Sequence, residues 1–383
     1  MYHLRWEIQF HSIEKCNCDL KLLDFDLKDM NPFETLPDEL LPLHALELDR
    51  HEIYHLCNVD QRFNRLICNN EAFWKDKFKQ DYLFTPLEYK GLWKDLYRNY
   101  GAVYIIFEGE PFRFEIHALQ VSCGRSYTMI IDMYNNVWGQ GSNSMGQLGV
   151  GDKSYKLNLT PLGIKAKRVA CGFSHTLLID MEDRLHTFGT NFHGQLGIDD
   201  NISRAKPVNI GIRVKDVAAG STFSVIIDMK GEVLTCGSNI RLQLGRSVGL
   251  EYYDPIFRPI GLKGKMVSCS TDHTLLIDED DNLYTWGENI VSHIKVGVKA
   301  KRVVASDSKR AFIDLDDKLC WLTDEGVTVT NKQVLDVAER IDRLSYINLK
   351  GELYIDDKPV PGLLFHSLSS EEDRVVAIST MTL

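Results

Sequence analysis

The chain has 383 residues, a formal net charge of −10 and 44% hydrophobic residues, which is typical of a soluble globular protein with two domains. The acidic charge disfavours nucleic-acid binding, which requires a basic surface. No apolar run approaches the ~18 residues that span a membrane, so we expect no membrane partner.

The N-terminus and the cysteines indicate the compartment. Charges interrupt the apolar residues of MYHLRWEIQFHSIEK, so this stretch does not resemble a signal peptide. The nine cysteines are odd in number and lack a paired CxxC spacing, which favours a reducing compartment over a disulfide framework. We therefore predict a cytoplasmic or nuclear protein. Cys16 and Cys18 form a CxC without nearby partners, and we predict no metal and no cofactor.

Residues 1–30 remain unassigned, and residues 31–80 predict three short helices. The apolar residues of LPDELLPLHALELDRHEIYHLCNVDQRFNRLICNNEAFWKDKF recur at helical spacing. Helix starts are indicated by Pro37 and by the capping-box pair Asp49 and Glu52. Residues 81–101 predict a helical linker, with Thr85 as N-cap and Leu92, Leu96 and Tyr100 on one face.

Three stretches of this helical region, LPDELL, VDQRFNRLI and FWKDKF, resemble the F-box, a three-helix motif. The resemblance implies binding to the Skp-type adaptor of cullin-RING ubiquitin ligases. Two positions depart from the usual motif, with Asp60 in place of the common Cys and Phe63 in place of Trp. Residues that match adaptor-facing or motif-stabilising positions are Leu36, Pro37, Leu40, Leu41, Val59 and Phe63.

Residues 102–383 contain a repeat. The hexamer HTLLID occurs at 175–180 and again at 273–278. Its final Asp defines a turn position that recurs along the chain as Asp132, Asp180, Asp228, Asp278, Asp314, Asn348 and Ser379. An aliphatic residue lies eleven positions earlier in every copy: Val121, Val169, Val217, Val267, Val303, Val337 and Leu368. Another lies five positions later in six copies: Val137, Leu185, Val233, Leu283, Leu319 and Leu353.

Each copy predicts about four short strands joined by tight turns. Such a unit cannot bury both faces alone, but it can when units stack in a ring, as propeller blades do. The stretch VACGFSHTLLIDMEDRLHTFGTNFHGQLG resembles the regulator of chromosome condensation repeat family, whose members form seven-bladed β-propellers. The fold class is therefore expected to be mainly β: a seven-bladed β-propeller preceded by a small all-α domain. The orphan hairpin at 103–116 is expected to complete the last blade and close the ring.

The repeat argues against chemistry at the hexamer. Five positions before the turn position lie, in successive copies, Tyr127, His175, Phe223, His273, Lys309 and Arg343. Neither a metal centre nor a catalytic ring would tolerate this series, so the histidines are predicted to pack between blades. Cys123, Cys171 and Cys269 share one repeat position with Ala219 and are predicted to be small buried residues.

The resemblances imply a binding protein and not an enzyme: a substrate-recognition subunit of a ubiquitin ligase. The F-box would bind the adaptor, and the propeller would bind a target protein, with loops 199–206 and 247–257 as the expected contact surface. An alternative is a guanine nucleotide exchange factor or regulator for a small GTPase. Exchange requires an inserted wedge, for which the first four copies, spaced by 48, 48 and 50 residues, leave little room. A non-degradative interaction scaffold is the third reading.

Overall fold

The structure is a computed structural model of the full chain. It describes residues 38, 41–46, 48, 53, 56–57, 61–82, 102–107, 110–248, 252–288, 290–305, 310–323, 325–340, 343–371 and 374–379. Two compact units are present, Met1–Thr85 and Pro86–Leu383. The unassigned segment 1–30 and the predicted linker helix beyond Tyr82 lie outside the described residues. None of the described helices is long and apolar enough to cross a membrane.

The described part of the N-terminal unit is helical. Its helices are α1 (Leu41–Ala45), α2 (Gln61–Phe63), which continues as a π-helical turn (Asn64–Cys68), and α3 (Glu71–Tyr82). The Asn70 side chain caps α3 by accepting a hydrogen bond from Phe73 N at 3.2 Å. Leu41, Ile53, Phe63, Ile67 and Trp74 are fully buried and form the core of this unit.

Cys57 and Cys68 form a disulfide in this unit, with their Cα atoms 6.0 Å apart. The sequence did not predict this pair. The spacing of eleven residues gave no signal, because the two cysteines are brought together by packing of the helices and not by a local motif.

The C-terminal unit is built from strands. The first twelve, in chain order, are β1 (Ala102–Phe107), β2 (Glu110–Cys123), β3 (Tyr127–Asp132), β4 (Asn136–Gly141), β5 (Lys156–Cys171), β6 (His175–Asp180), β7 (Arg184–Gly189), β8 (Arg204–Ala219), β9 (Phe223–Asp228), β10 (Glu232–Ser238), β11 (Tyr253–Lys263) and β12 (Met266–Cys269). The others are β13 (His273–Ile277), β14 (Asn282–Gly287), β15 (Ile290–Lys299), β16 (Arg302–Ala305), β17 (Arg310–Ile313), β18 (Lys318–Thr323), β19 (Gly326–Arg340), β20 (Arg343–Asn348), β21 (Glu352–Ile355), β22 (Lys358–Glu371) and β23 (Arg374–Ser379).

The described strands pair antiparallel in groups of four, which we label as sheets A to G. Their strand orders are A (β22–β23–β1–β2), B (β2–β3–β4–β5), C (β5–β6–β7–β8), D (β8–β9–β10–β11), E (β12–β13–β14–β15), F (β16–β17–β18–β19) and G (β19–β20–β21–β22). Long strands belong to two sheets, because the fourth strand of one sheet continues as the first strand of the next. The unit is thus mainly β, as predicted.

Strand β1 lies between β2 and β23. It pairs antiparallel with β23 from Val103 opposite Ile378 to Phe107 opposite Arg374. On its other side it pairs with β2, from Ala102 opposite His117 to Phe107 opposite Glu110. The two ends of the repeat region therefore share sheet A.

The core of the C-terminal unit lies between neighbouring sheets. The aliphatic residues of both repeat positions are buried in every copy that has them. One cluster joins Met129 and Ile131 of sheet B to Val169, Leu178 and Phe188 of sheet C. Each sheet therefore buries its faces against its neighbours, which is the reason that a single repeat is not expected to fold alone.

Candidate functional site

The repeated Asp organises a hairpin turn. In the hexamer copy of sheet C, Asp180 Oδ1 accepts hydrogen bonds from Glu182 N at 2.9 Å and Arg184 N at 2.8 Å. The same pair of bonds is made by Asp132, Asp228, Asp278, Asp314 and Asn348. The third residue after it has a positive φ, for example 66° at Asp183 and 83° at Gly231. The Asp of the hexamer is therefore a turn residue, as the repeat predicted.

The hexamer histidines pack between strands. His175 is fully buried, and its Nε2 lies 3.0 Å from Ser224 Oγ of the next sheet. His273 Nδ1 lies 2.8 Å from Ser270 Oγ. Burial lowers the pKa of His175 to about 4. The prediction of a packed histidine is correct, although each ring has one buried nitrogen without a hydrogen-bond partner among the described residues.

The loops between third and fourth strands are held by hydrogen bonds, as the loop of sheet C shows at Asn191 and Gln195. Asn191 accepts from Leu196 N at 2.9 Å and donates to Asp200 O at 2.6 Å. Gln195 O accepts from Ser224 Oγ at 2.7 Å, which ties this loop to the next sheet. We call the surface formed by these loops and by the turns between first and second strands the loop face.

The two loops that the sequence predicted as contact surfaces come together on the loop face. They line a cavity of about 460 Å³, which we call the loop-face groove, with Asp199 from one loop and Ser247, Tyr253 and Ile256 from the other side. Asn201 Nδ2 donates to Tyr253 Oη at 3.3 Å across it. Both segments are shorter as loops than predicted, because β8 begins at Arg204 and β11 at Tyr253.

Charged residues fix the walls of the loop-face groove. Asp254 Oδ2 lies 3.0 Å from Arg246 Nη2 and 2.9 Å from Arg258 Nε. Next to the lining residue Asp199 along the chain, Asp200 pairs with Arg204. Burial opposes ionisation of Asp200, but hydrogen bonds from Ile202 N and Arg204 outweigh it and lower the pKa of this carboxyl.

Large apolar side chains are exposed in the two loops that contribute residues to the groove, 190–203 and 239–252. Their exposed fractions are 57% for Phe192, 64% for Ile202, 60% for Ile240 and 73% for Tyr252. Phe192 and Ile240 occupy the same repeat position in sheets C and D, and Ile202 and Tyr252 are chain neighbours of the bonded pair Asn201 and Tyr253. Grouped exposed apolar residues with a polar rim are typical of protein-binding surfaces.

A second cavity, which we call the central cavity, lies where the first strands of the sheets meet. It has a volume of about 540 Å³, and first-strand residues of all the sheets A to G line it. Cys171 and Cys269 are among these residues, and burial raises the pKa of each thiol to about 12. Both thiols are therefore protonated at neutral pH, in agreement with the prediction that they are not nucleophiles. Cys123, Cys171 and Cys269 are partly exposed, however, so the prediction that they are buried is wrong.

Two of the six residues matched to adaptor-facing or motif-stabilising positions lie in the described region. Leu41 and Phe63 are 1% and 0% exposed in the core of the N-terminal unit. Both side chains therefore lie in the interior of the helical unit. Leu36, Pro37, Leu40 and Val59 lie outside the described residues.

Comparison with known proteins identifies the repeat. The family model described as regulator of chromosome condensation (RCC1) repeat matches residues 182–227, from the turn after β6 to the end of β9. The chain therefore contains an RCC1 repeat. No curated protein sequence matches the chain significantly.

Solved structures extend this similarity to the RCC1-like fold. Human WBSCR16 is 16% identical with a TM-score of 0.65, over 74% of this chain and 99% of that one. Yeast RCC1 (Prp20) bound to Kap60 is 14% identical with a TM-score of 0.65, over 74% and 89%. Prp20p from Saccharomyces cerevisiae, described with its binding properties to Gsp1p and histones, is 15% identical with a TM-score of 0.64, over 74% and 92%. These similarities show that the chain has an RCC1-like propeller fold.

Proposed function

We propose that this chain is a protein-binding subunit, without catalytic chemistry of its own, whose RCC1-like propeller holds a partner protein on the loop face. The observation that carries the proposal is the exposure of four apolar side chains in the two loops that contribute to the loop-face groove: Phe192, Ile202, Ile240 and Tyr252. When a partner covers apolar side chains that are exposed to this extent, their removal from water stabilises the complex. A seven-bladed closed ring and a cytoplasmic or nuclear location belong to the same proposal.

The specific role that the comparisons support best is regulation of a small GTPase. The similar Prp20p structure is described with binding to Gsp1p, and exchange on a small GTPase is the activity implied by the family resemblance. The loops 142–155, 190–203 and 239–252 are of similar length, so no long insertion supplies a wedge in sheets B to D. We therefore propose a regulator that binds the GTPase and accelerates nucleotide release little by itself.

The test uses the full chain and a panel of purified small GTPases, each in the nucleotide-free and the GDP-bound form. We expect one to bind, and Ile202→Asp with Tyr252→Asp to weaken its binding at least about tenfold, because both charges would be desolvated at the contact. Leu315→Asp with Leu349→Asp is the matched control. Both leucines are exposed, but they follow Asp314 and Asn348 in turns between second and third strands, which are not part of the loop face. If the Ile202→Asp, Tyr252→Asp variant binds with the affinity of the wild type, the loop face is not the contact surface. If no GTPase of the panel binds, the proposed role in GTPase regulation is refuted.

A second candidate role is that of a ubiquitin-ligase recognition subunit. It is supported by the N-terminal unit, in which motif residues Leu41 and Phe63 are buried, as is Trp74. We propose that this unit is an F-box that binds a Skp-type adaptor and cullin complex, while the propeller binds the target.

Mixing the purified chain with a Skp-type adaptor tests this role. We expect co-purification, and loss of it in the triple variant Leu36→Ala, Leu40→Ala and Val59→Ala. The control triple Leu315→Ala, Leu335→Ala and Leu349→Ala removes three exposed leucines from the C-terminal unit and should retain the adaptor. Adaptor binding that survives the first triple at wild-type strength contradicts the assignment, and a target that is bound but not ubiquitinated favours a scaffold.

A further inference from the structure

Two arginine–aspartate pairs link neighbouring first strands at one repeat position, twelve residues before the turn position. Arg168 of sheet C pairs with Asp216 of sheet D through Nε at 2.6 Å. Arg302 of sheet F pairs with Asp336 of sheet G through Nη2 at 2.8 Å. The pairing register shifts just before Arg168, Asp216 and Asp336, and a bulge of this kind redirects the side chain that follows it.

The two carboxylates are enclosed by backbone donors. Asp216 accepts from Val217 N at 2.7 Å and from Val267 N of sheet E at 3.1 Å. Asp336 accepts in the same way from Val337 N at 2.7 Å and from Leu368 N of sheet A at 2.9 Å. Their side chains are 4% and 0% exposed, so these groups position the arginines and are not accessible to a ligand.

The guanidinium groups, in contrast, are accessible. The Arg168 and Arg302 side chains are 40% and 41% exposed, and both line the central cavity of about 540 Å³. Among the described residues that line this cavity, every charged side chain is an arginine. Ser221, Ser268 and Ser369 add hydroxyl groups to the wall. A ligand in the cavity therefore contacts cationic donors before it can reach a carboxylate.

We propose that the central cavity binds an oxyanion group, a carboxylate or a phosphoryl group, through Arg168 and Arg302. A planar guanidinium offers paired donors that match the two oxygens of such a group, and a buried carboxylate that holds one edge leaves the other donors oriented. The cavity volume lies within the range of small-ligand sites. This site is separate from the loop-face groove and does not rest on the proposed function.

Equilibrium dialysis of the full chain against inorganic phosphate at constant ionic strength tests the proposal. We expect saturable binding that Arg168→Gln with Arg302→Gln weakens at least about tenfold, because each charged hydrogen bond contributes to affinity. Arg184→Gln with Arg213→Gln is the matched control, since both arginines are exposed and paired with Asp180 and Asp183 outside the cavity lining. Phosphate binding that persists in the cavity variant, or that is equally weakened in the control, overturns the site.

Capped tripeptides identify the source of the oxyanion. Gly-Glu-Gly, Gly-phosphoserine-Gly and Gly-Gln-Gly are titrated by calorimetry: binding of the first indicates an acidic side chain, binding of the second indicates a phosphorylated one, and equal binding of the third overturns the proposal. If the variant Arg168→Gln with Arg302→Gln does not fold, nitrogen NMR of the wild type tests whether phosphate binds in the central cavity. Phosphate must then shift the Nε–H resonances of Arg168 and Arg302 and not those of Arg184 and Arg213, and unshifted cavity resonances overturn the proposal.

Discussion

A single buried histidine makes the interface between sheets C and D sensitive to pH. Ser224 Oγ donates to Gln195 O, so it accepts from His175 Nε2, which leaves His175 Nδ1 as a buried nitrogen without a described partner. Protonation at Nδ1 would place a charge where water does not reach. Burial lowers the pKa of His175 from its ordinary 6.5 to about 4 for this reason.

The stability of the C-terminal unit should therefore fall between pH 6.5 and 4. Because the pKa of His175 is lower in the folded chain, its stabilising contribution is complete above pH 6.5 and decreases as the pH falls toward 4. The full effect is about 3–4 kcal/mol, from ~1.4 kcal/mol for each pH unit of the difference. We expect His175→Phe, which installs the residue present at Phe223 in sheet D, to flatten this part of the profile.

The measurement is urea unfolding of both proteins at half-unit steps from pH 7 to 4. His193→Gln is the control, because it removes a histidine of the same repeat without changing the buried contact. An identical fall in the free energy of unfolding for wild type and His175→Phe would assign the acid sensitivity to other groups.

Among the elements, the hairpins depend on one acceptor at the turn position. The turns at Asp228 and Asn348 both continue with Lys-Gly-Glu, and each side chain accepts two backbone N–H groups through its Oδ1. Asn and Asp therefore serve equally where the turn needs a carbonyl-type oxygen and not a charge.

Removing the acceptor oxygen of Asp228 should lower the free energy of unfolding more than removing only its charge. We expect Asp228→Ala to destabilise the C-terminal unit by about 1–2 kcal/mol, because two amides lose their partner, and Asp228→Asn by under about 0.5 kcal/mol. The thermal midpoint and urea unfolding of each variant measure this, with exposed Lys230→Ala as the control. A loss in Asp228→Asn as large as in Asp228→Ala would show that the charge, and not the acceptor, holds the turn.

These elements were predictable because their signal is local. The turn residue and the aliphatic positions recur within a window of about one repeat, so pattern alone places hairpins and buried faces. The arginine–aspartate pairs were missed, because Arg168 and Asp216 are partners in consecutive repeats and share a position that varies from copy to copy. Of the exposed apolar residues in the loops of the groove, Ile202 and Tyr252 lie in the segments predicted as contact surface, whereas Phe192 and Ile240 were missed, because the exposure of a single loop residue cannot be read from spacing.

At the scale of the whole molecule, stacking of sheets was predictable and the pairing of cysteines was not. Repeated aliphatic positions that a lone unit cannot bury imply neighbours on both sides, and the clusters between sheets B and C and between D and E have this composition. Cys57 and Cys68 instead meet through the packing of helices that are not repeated. The repeat positions were found by comparing copies within the chain, and the helical unit offers no such comparison.

Stability of the C-terminal unit should depend on the pairing of β1 with β23. Ile105 lies in the middle of β1, with backbone partners Phe112 on one side and Val376 on the other. We expect Ile105→Pro to destabilise the C-terminal unit by about 3 kcal/mol or more, because proline removes an N–H donor from an inner strand. Calorimetric unfolding should then show a lower midpoint and a broader transition. Leu157→Pro is the control. Leu157 lies on β5, the outer strand of sheet B, where the pairing of β4 with β5 shifts its register, and β5 already contains Pro161. A transition of Ile105→Pro that matches the control would mean that the first and last strands contribute no cooperativity to the fold.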